Sequence, residues 1–314
     1  MMNRRTVIAG LGATAVMGSV TVAIGQTKAY IPLISKGFSH QFWQAVKLGS
    51  EKAAAEFDVE VTFEGPDNEG QVDRQIDMLS AALSKNPAAI GFAAVDSQAA
   101  IPVLRQIDAA GVPVIAFDSG VASDIPVTTC TTNNLASAAL AADEMAKAIG
   151  GAGKVAIISH DQTSVTGIER VDGFVNQVEA KYPDIEIVTI QYGGGDHLIS
   201  TEITKSILTA NPDIKGIFGA NEGSAIGVLN GVTESGSDIV IIGYDSGAAQ
   251  KAAVRSGAMA GAITQNPVGI GYETVKAAVA TIKGETVPKV IDTGFFYYNA
   301  ANMDEDQIAS VLYD

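Results

Sequence analysis

Cysteine is almost absent from this chain of 314 residues: there is one, Cys130. No disulfide framework and no cysteine metal cluster is available, and Cys130 reads as a small buried residue. Basic residues are also scarce, 20 Lys and Arg against 35 Asp and Glu, for a net charge of −15. A chain this acidic lacks the basic footprint that nucleic-acid binding needs. The three histidines, His40, His160 and His197, are scattered, with no ligand spacing such as H-E-x-x-H, so no metal site is expected. No G-x-S-x-G nucleophile element occurs. Aromatics make up 6% of the chain, with one tryptophan, Trp43.

What is present suits packed layers of strands and helices. The chain is 47% hydrophobic and 18% charged, with 33 glycines, too apolar for disorder. The length suggests two domains at about 150 residues each.

Arg4 and Arg5 precede an uncharged stretch from Val7 to Gly25. They read as the n-region and h-region of a signal peptide over residues 1–25, with Ala23 and Gly25 at small-residue positions and cleavage before Gln26. A membrane anchor is disfavoured by Gly10, Gly12, Gly18 and Ser19 and by the lack of stop-transfer charges. The residues after the arginine pair fit a twin-arginine signal only loosely. No cysteine lies near the cleavage point, so the mature protein is expected free in a periplasm without a lipid, with a net charge of −17. Gly10-x-Gly12-x-x-Ala15 lies inside the h-region and follows no strand, so it is not a dinucleotide fingerprint.

From Thr27 onward, short apolar runs alternate with helical patterns. Strands are expected over Ala29–Ser35, Val59–Phe63, Ala89–Ala93 and Val114–Phe117, with helices over Phe42–Phe57, around Val72–Leu83, and over Gln98–Ala110. The cadence restarts with a helix over Asn134–Ile149, then Val155–Ser159 (strand), Val165–Lys181 (helix), Ile185–Gln191 (strand) and Leu198–Ala210 (helix). Gly216–Gly219, Ile239–Tyr244 and Met259–Thr264 are further strands, and a helix over Pro267–Lys283 leads to a last strand within Val290–Tyr297. Continuous apolar strands between helices indicate an α/β fold, with doubly wound parallel sheets covered on both faces.

There is an internal echo. Ile115-Ala-Phe-Asp-Ser-Gly120 recurs 127 residues later as Ile242-Gly-Tyr-Asp-Ser-Gly247, and Asn86-Pro87 recurs 125 residues later as Asn211-Pro212. Two similar α/β halves would produce this, although βαβ units also share end residues by chance.

In open parallel sheets, ligands bind beyond the carboxyl ends of strands. Asp118 and Asp245 both fall there. A single such aspartate would be read as a helix N-cap; the matched pair favours carboxylates that bind adjacent hydroxyls. Phe38, His40, Phe42 and Trp43 follow the first strand. Flat rings here can pack on the apolar face of a sugar; Phe38 reads rather as helix core face, and Phe42 and Trp43 fit either role. Gly193-Gly-Gly195-Asp196 reads as a tight βα turn with Asp196 as cap, ahead of an anion nest. Gly150-Gly-Ala-Gly-Lys154 precedes a strand and lacks the phosphate-loop spacing, so it reads as a plain loop.

Across its whole mature length the chain resembles the ribose-binding protein family of periplasmic solute-binding proteins, which serve ABC importers. The resemblance rests on Phe42-Trp43, Val114-Ile-Ala-Phe-Asp118, Arg170-x-x-Gly173-Phe174, Ile217-Phe-Gly-Ala-Asn-Glu222, Ile242-Gly-Tyr-Asp245 and Ala262-Ile-Thr-Gln265. It implies a type I periplasmic binding fold: two lobes joined by three chain crossings near Thr132-Asn133, Gln265-Asn266 and Asp292-Thr293, closing on a monosaccharide. The N-terminal lobe is expected over residues 26–132 plus 266–292, and the C-terminal lobe over 133–265 plus 293–314. Phe42 and Trp43 match ring-packing positions, His40 a polar contact position, and Asp118, Asn221, Asp245 and Gln265 hydroxyl-binding positions; Arg170 matches a structural position.

The departures bear on the ligand. Where ribose-binding relatives carry arginines this chain has Ser119 and Ile168, where they carry an aromatic it has Gly195, and an asparagine position falls on Ala93. Ribose held in the usual way is therefore not expected. Lys36 is the nearest remaining cation, Ser119 sits at the arginine's place, and His160, with Asp161 and Gln162, can supply replacement contacts. The expectation is a monomeric binding protein, with no catalytic residues and no cofactor, that takes a neutral sugar or polyol to the membrane permease of an ABC importer. The rival readings are a ligand-presenting receptor for a chemoreceptor or sensor kinase, and an enzyme on the same fold class.

Overall fold

A computed structural model describes residues 28–313; the expected signal peptide lies outside the described residues. The elements follow the apolar runs. They are, in order, β1 (Tyr30–Ile34), α1 (Gln41–Phe57), β2 (Glu60–Glu64), α2 (Val72–Leu83), β3 (Ile90–Phe92), α3 (Ile101–Ala109), β4 (Val114–Phe117), β5 (Thr128–Thr131), α4 (Asn134–Ile149), β6 (Gly153–Ser159) and α5 (Val165–Lys181). The chain continues through β7 (Ile185–Tyr192), α6 (His197–Ala210), β8 (Ile214–Gly219), α7 (Glu222–Ser235), β9 (Val240–Tyr244), α8 (Ala248–Ser256), β10 (Gly261–Gln265), α9 (Pro267–Ile282), β11 (Val290–Asp292), β12 (Phe295–Tyr298) and α10 (Asp306–Ala309).

Among the described residues the strands form two six-stranded sheets, ordered β11-β5-β4-β3-β1-β2 and β12-β10-β9-β8-β6-β7. The orders superimpose position by position, so β4 and β9, which carry the echoed sequence, occupy the same place in each half. All pairings are parallel except β10 with β12. Strands β1, β3 and β4 are buried along nearly their whole length, as a sheet with helices on both faces requires. Ile31, Leu33, Val46, Ile115, Phe117, Ile270 and Val275 belong to the core of the first sheet; Val155, Ile157, Phe174, Phe218, Ile242 and Ile263 belong to that of the second. Cys130 is buried, as its small apolar character indicated.

Two strand expectations are corrected. The run Val290–Tyr297 is not one strand: it is β11 in the first sheet and β12 in the second, separated by Thr293 and Gly294. Gly294 has φ 80°, a left-handed conformation that lets the chain turn between sheets. Strand β5 was not foreseen, because Thr-Thr-Cys-Thr alternates buried and half-buried residues instead of forming an apolar run. Phe38 is also corrected: it lies on the loop before α1, exposed, with its ring edge 6.0 Å from Phe63.

The chain passes between the sheets three times, at β5–α4, β10–α9 and β11–β12. The passages lie side by side. Thr293 N donates to Thr131 O at 3.0 Å, Thr132 Oγ1 donates to Gln265 Oε1 at 2.8 Å, and Asn266 Nδ2 donates to Thr293 O at 3.3 Å. The chain end returns to the first body: Tyr313 is buried in the core that holds Phe42, its ring 6.3 Å from Phe42, and its hydroxyl accepts from Ser246 N at 3.2 Å.

Candidate functional site

The aspartates are built by the same local geometry twice. Asp118 N donates to Cys130 O at 2.9 Å and Asp245 N to Ile263 O, so each aspartate is still tied to the neighbouring strand. The backbone then turns into the left-handed region, φ 55° at Asp118 and 79° at Asp245. Aspartate tolerates this conformation better than most residues. Neither carboxylate caps the helix that follows: α8 begins after Gly247, and no helix follows Asp118 before β5. Asp245 Oδ2 does accept from Glu222 N at 2.9 Å, at the start of α7.

Both aspartates face one small cavity between the two bodies, lined by Lys36, His40, Phe42, Trp43, Glu69, Asp118, Arg170, Asn221, Asp245 and Gln265. Eight of the ten residues singled out in the sequence are in this wall. Ser119 and His160 are not. Ser119 is turned into the first body, where its carbonyl accepts from Ala94 N at 3.1 Å. His160 stands one layer behind: Thr166 Oγ1 takes a bond from Lys36 Nζ at 3.0 Å and meets His160 Nε2 at 3.1 Å. Burial, with Lys36 nearby, pushes His160 down to about 3, so the ring is neutral and supports Lys36 at a distance.

The structural reading of Arg170 is extended. Its Nε donates to Asn134 Oδ1 at 2.9 Å, its Nη1 donates to Ala220 O at 3.0 Å, and its guanidinium lies 3.8 Å over the Tyr244 ring. These contacts fix it, yet it also forms part of the cavity wall. Glu69, on the loop after β2, carried no motif. The signal available was its place beyond the carboxyl end of a parallel strand, where ligands bind.

The wall is balanced in charge. Lys36 Nζ lies 3.7 Å from Asp118 Oδ2 and 3.8 Å from Glu69 Oε2. Burial disfavours its charge, but Glu69 and Asp118 outweigh that and keep it protonated. His40 Nε2 donates to Gly195 O at 2.9 Å, and its Nδ1 lies 3.5 Å from Glu69 Oε1. Burial opposes the imidazolium, yet the bond to Glu69 raises His40 to about 9. Burial would raise Glu69, but Lys36 and His40 hold it well below the usual carboxylate range. Asp118 is different: burial outweighs Lys36 and Arg170 and pushes it up to about 6. Burial raises Asp245 too, against Arg170 and a bond from Gln265 Nε2 at 2.8 Å.

Other wall residues serve two purposes. Asn221 Oδ1 accepts from Ser224 N at 2.8 Å, capping α7, while its side chain also lines the cavity. Phe42 and Trp43 are part of the first body's core and of the wall, their rings 4.9 Å apart and nearly perpendicular. Gly195 has φ 69° and ends the turn that Asp196 caps through Leu198 N and Ile199 N. Gln265 joins the site to the passages: it bonds Asp245 with its amide nitrogen and accepts from Thr132 with its oxygen. The arrangement can hold a small polyhydroxylated molecule through buried acceptors and donors while aromatic faces exclude water.

Known proteins share this architecture. Residues 31–286 match the family model described as a periplasmic binding protein domain. The chain is 26% identical over 292 residues to the ribose import binding protein of Escherichia coli, covering 91% of this chain and 95% of that protein. It is similar to a carbohydrate transporter solute binding protein from Agrobacterium radiobacter solved with D-arabinose, at 34% identity and a TM-score of 0.87 over 91% of this chain and 99% of that one. An ABC transporter solute binding protein from Agrobacterium vitis, solved with D-fucose, has a TM-score of 0.88 at 30% identity and is covered completely by 91% of this chain. Matched by the family model over most of its length, this chain belongs to the periplasmic binding protein family.

Proposed function

We propose that this protein captures a neutral monosaccharide or polyol between two lobes and presents the closed form to the membrane permease of an ABC importer. The observation that carries this reading is the convergence of Asp118 and Asp245, from equivalent strand ends of two matching sheets, on one buried cavity. Three cationic side chains face three carboxylates there, so a neutral ligand rich in hydroxyls meets both donors and acceptors, whereas an anionic one upsets the balance. The relatives named above support the sugar class and the importer. The lobes are 26–132 plus 266–292 and 133–265 plus 293–314, with Tyr313 of the second packing back into the core of the first. The mature chain acts as a monomer without cofactor or bond chemistry, released into the periplasm by the signal peptide over residues 1–25 and without a lipid. Ser119 and His160 support the wall from behind it.

A thermal-shift screen over neutral aldoses, ketoses, deoxy sugars and polyols, with uronates and sugar phosphates alongside, tests the reading. A ligand at 100 times its Kd adds about 2.7 kcal/mol of stability. Stabilisation by a neutral sugar, without turnover on prolonged incubation, supports it; stabilisation only by an anionic sugar contradicts it.

A further inference from the structure

Glu69 is a wall residue to which neither the echoed aspartates nor the aromatic pair leads. Its side chain is 6% exposed. The two carboxylate oxygens have different surroundings. Oε1 accepts from Trp43 Nε1 at 2.8 Å and faces His40 Nδ1 at 3.5 Å. Oε2 is buried without a hydrogen-bond partner; Lys36 Nζ, at 3.8 Å, is too far to bond it. A buried, ionised oxygen left without a donor is costly, and native structures rarely keep one unless something else satisfies it. The opposite lobe leaves room for such a donor. A Cβ at Gly195 would lie 3.3 Å from Oε2, so the missing side chain at that position keeps this oxygen open.

We propose that Glu69 Oε2 accepts a hydroxyl of the bound ligand and sets specificity for a free hydroxyl at that ring position. The inference rests on the reading of the cavity as a neutral-sugar site. Glu69 and Asp118 flank Lys36 on either side, at 3.8 and 3.7 Å. A ligand in this lobe therefore meets two anionic acceptors around one cation. It must offer hydroxyl protons to both. Deoxygenation, methylation or oxidation to a carboxylate at the position facing Glu69 removes the proton that Oε2 needs, and a carboxylate there would add like-charge repulsion.

The rival role for Glu69 is to position Trp43 and His40 and nothing more. Glu69→Gln separates the two. It keeps an oxygen for Trp43 Nε1 but places an NH₂ donor where Oε2 accepted. The test uses calorimetry with D-ribose, D-allose, D-arabinose, D-fucose and D-tagatose, followed by the monodeoxy forms of whichever binds most tightly. Glu69→Gln is expected to bind the parent sugar about 10- to 100-fold more weakly. One deoxy position should cost wild type a similar factor and cost Glu69→Gln almost nothing. Glu69→Asp, which keeps the charge on a shorter arm, should also lose affinity. Emission from Trp43, the only tryptophan, reports whether the loop stays in place. If Glu69→Gln binds the parent sugar like wild type, or if every deoxy penalty survives the substitution, Glu69 only positions its neighbours and the inference falls while the sugar reading stands. Wild type that binds no neutral sugar overturns the reading of the cavity, and the inference with it.

Discussion

The carboxylate of Glu222 takes the backbone N–H of Phe42 across the cleft at 3.0 Å. Its other oxygen takes Gln41 N, also at 3.0 Å. Helix α1 has no side-chain cap of its own and no acidic residue in its first turn, so its orphan N–H groups are satisfied from the opposite body. The arrangement is reciprocal: Gln41 Oε1 accepts from Ala248 N at 2.8 Å, at the start of α8, where Gly247 has no side chain to offer. Each helix start is thus capped by the other lobe, and only when the lobes meet.

Removing that cap should open the molecule. A helix N-cap contributes about 1 kcal/mol, and hydrogen bonds to a charged group about 1.5–3 kcal/mol. Glu222→Ala is expected to weaken sugar binding by roughly tenfold or more, because ligand must then hold the lobes together without the latch. Gln41→Ala removes one uncharged acceptor and should cost less. Calorimetric titration of both variants checks the order; wild-type affinity in Glu222→Ala would show that the latch does not contribute to closure.

The two aspartates should respond differently to substitution. Asp245 receives Gln265 Nε2 at 2.8 Å and Glu222 N at 2.9 Å. Asp118 has an ion pair with Lys36 at 3.7 Å, too long for a hydrogen bond, and burial raises its pKa to about 6. Its charge therefore opposes folding at neutral pH. Asp118→Asn is expected to keep or raise the melting temperature of the empty protein while weakening sugar binding about 10- to 100-fold. Asp245→Ala should weaken binding and also lower the melting temperature, since two buried donors lose their acceptor. Equal melting shifts in the two variants would contradict this.

The same groups set a pH window. Asp118 has a raised pKa in the empty closed form, so that form gains stability as pH falls through about 6. Hydroxyls donated to its carboxylate favour the ionised state instead, so sugar affinity should rise as pH increases through about 6. His40 has the opposite sign: its pKa is raised to about 9 by Glu69 despite burial, so the stability it adds is full below its ordinary value near 6.5 and is lost as pH rises through about 9. Affinity measured from pH 5 to 10 should form a plateau between about 6 and about 9. A flat profile through pH 6 in wild type would dissociate Asp118 from the ligand.

Much of this could be read from residues. The apolar runs placed most strands, and the echo of Ile115–Gly120 at Ile242–Gly247 identified two halves and their shared strand-end carboxylates, because both depend on local sequence. Strand β5 escaped because its threonines are polar, and burial there is decided by neighbouring strands. Glu69 escaped because its partners, Lys36 and His40 on the β1–α1 loop and Trp43 on α1, meet it only through the β1–β2 pairing. Ser119 was placed at the wall by its position after Asp118, but the left-handed turn at Asp118 directs the chain away from the cavity. His160 was placed there by its strand end; the hydroxyl of Thr166 intervenes.

The clamp itself is tested most directly by small-angle scattering of the mature protein with and without a saturating neutral sugar. Gln265 links Asp245 to the passage at Thr132, and the three adjacent passages permit rotation of one lobe on the other. The account predicts a smaller radius of gyration with sugar than without, and a reduced change in Gln265→Ala. An unchanged radius of gyration under saturating sugar would contradict capture by closure.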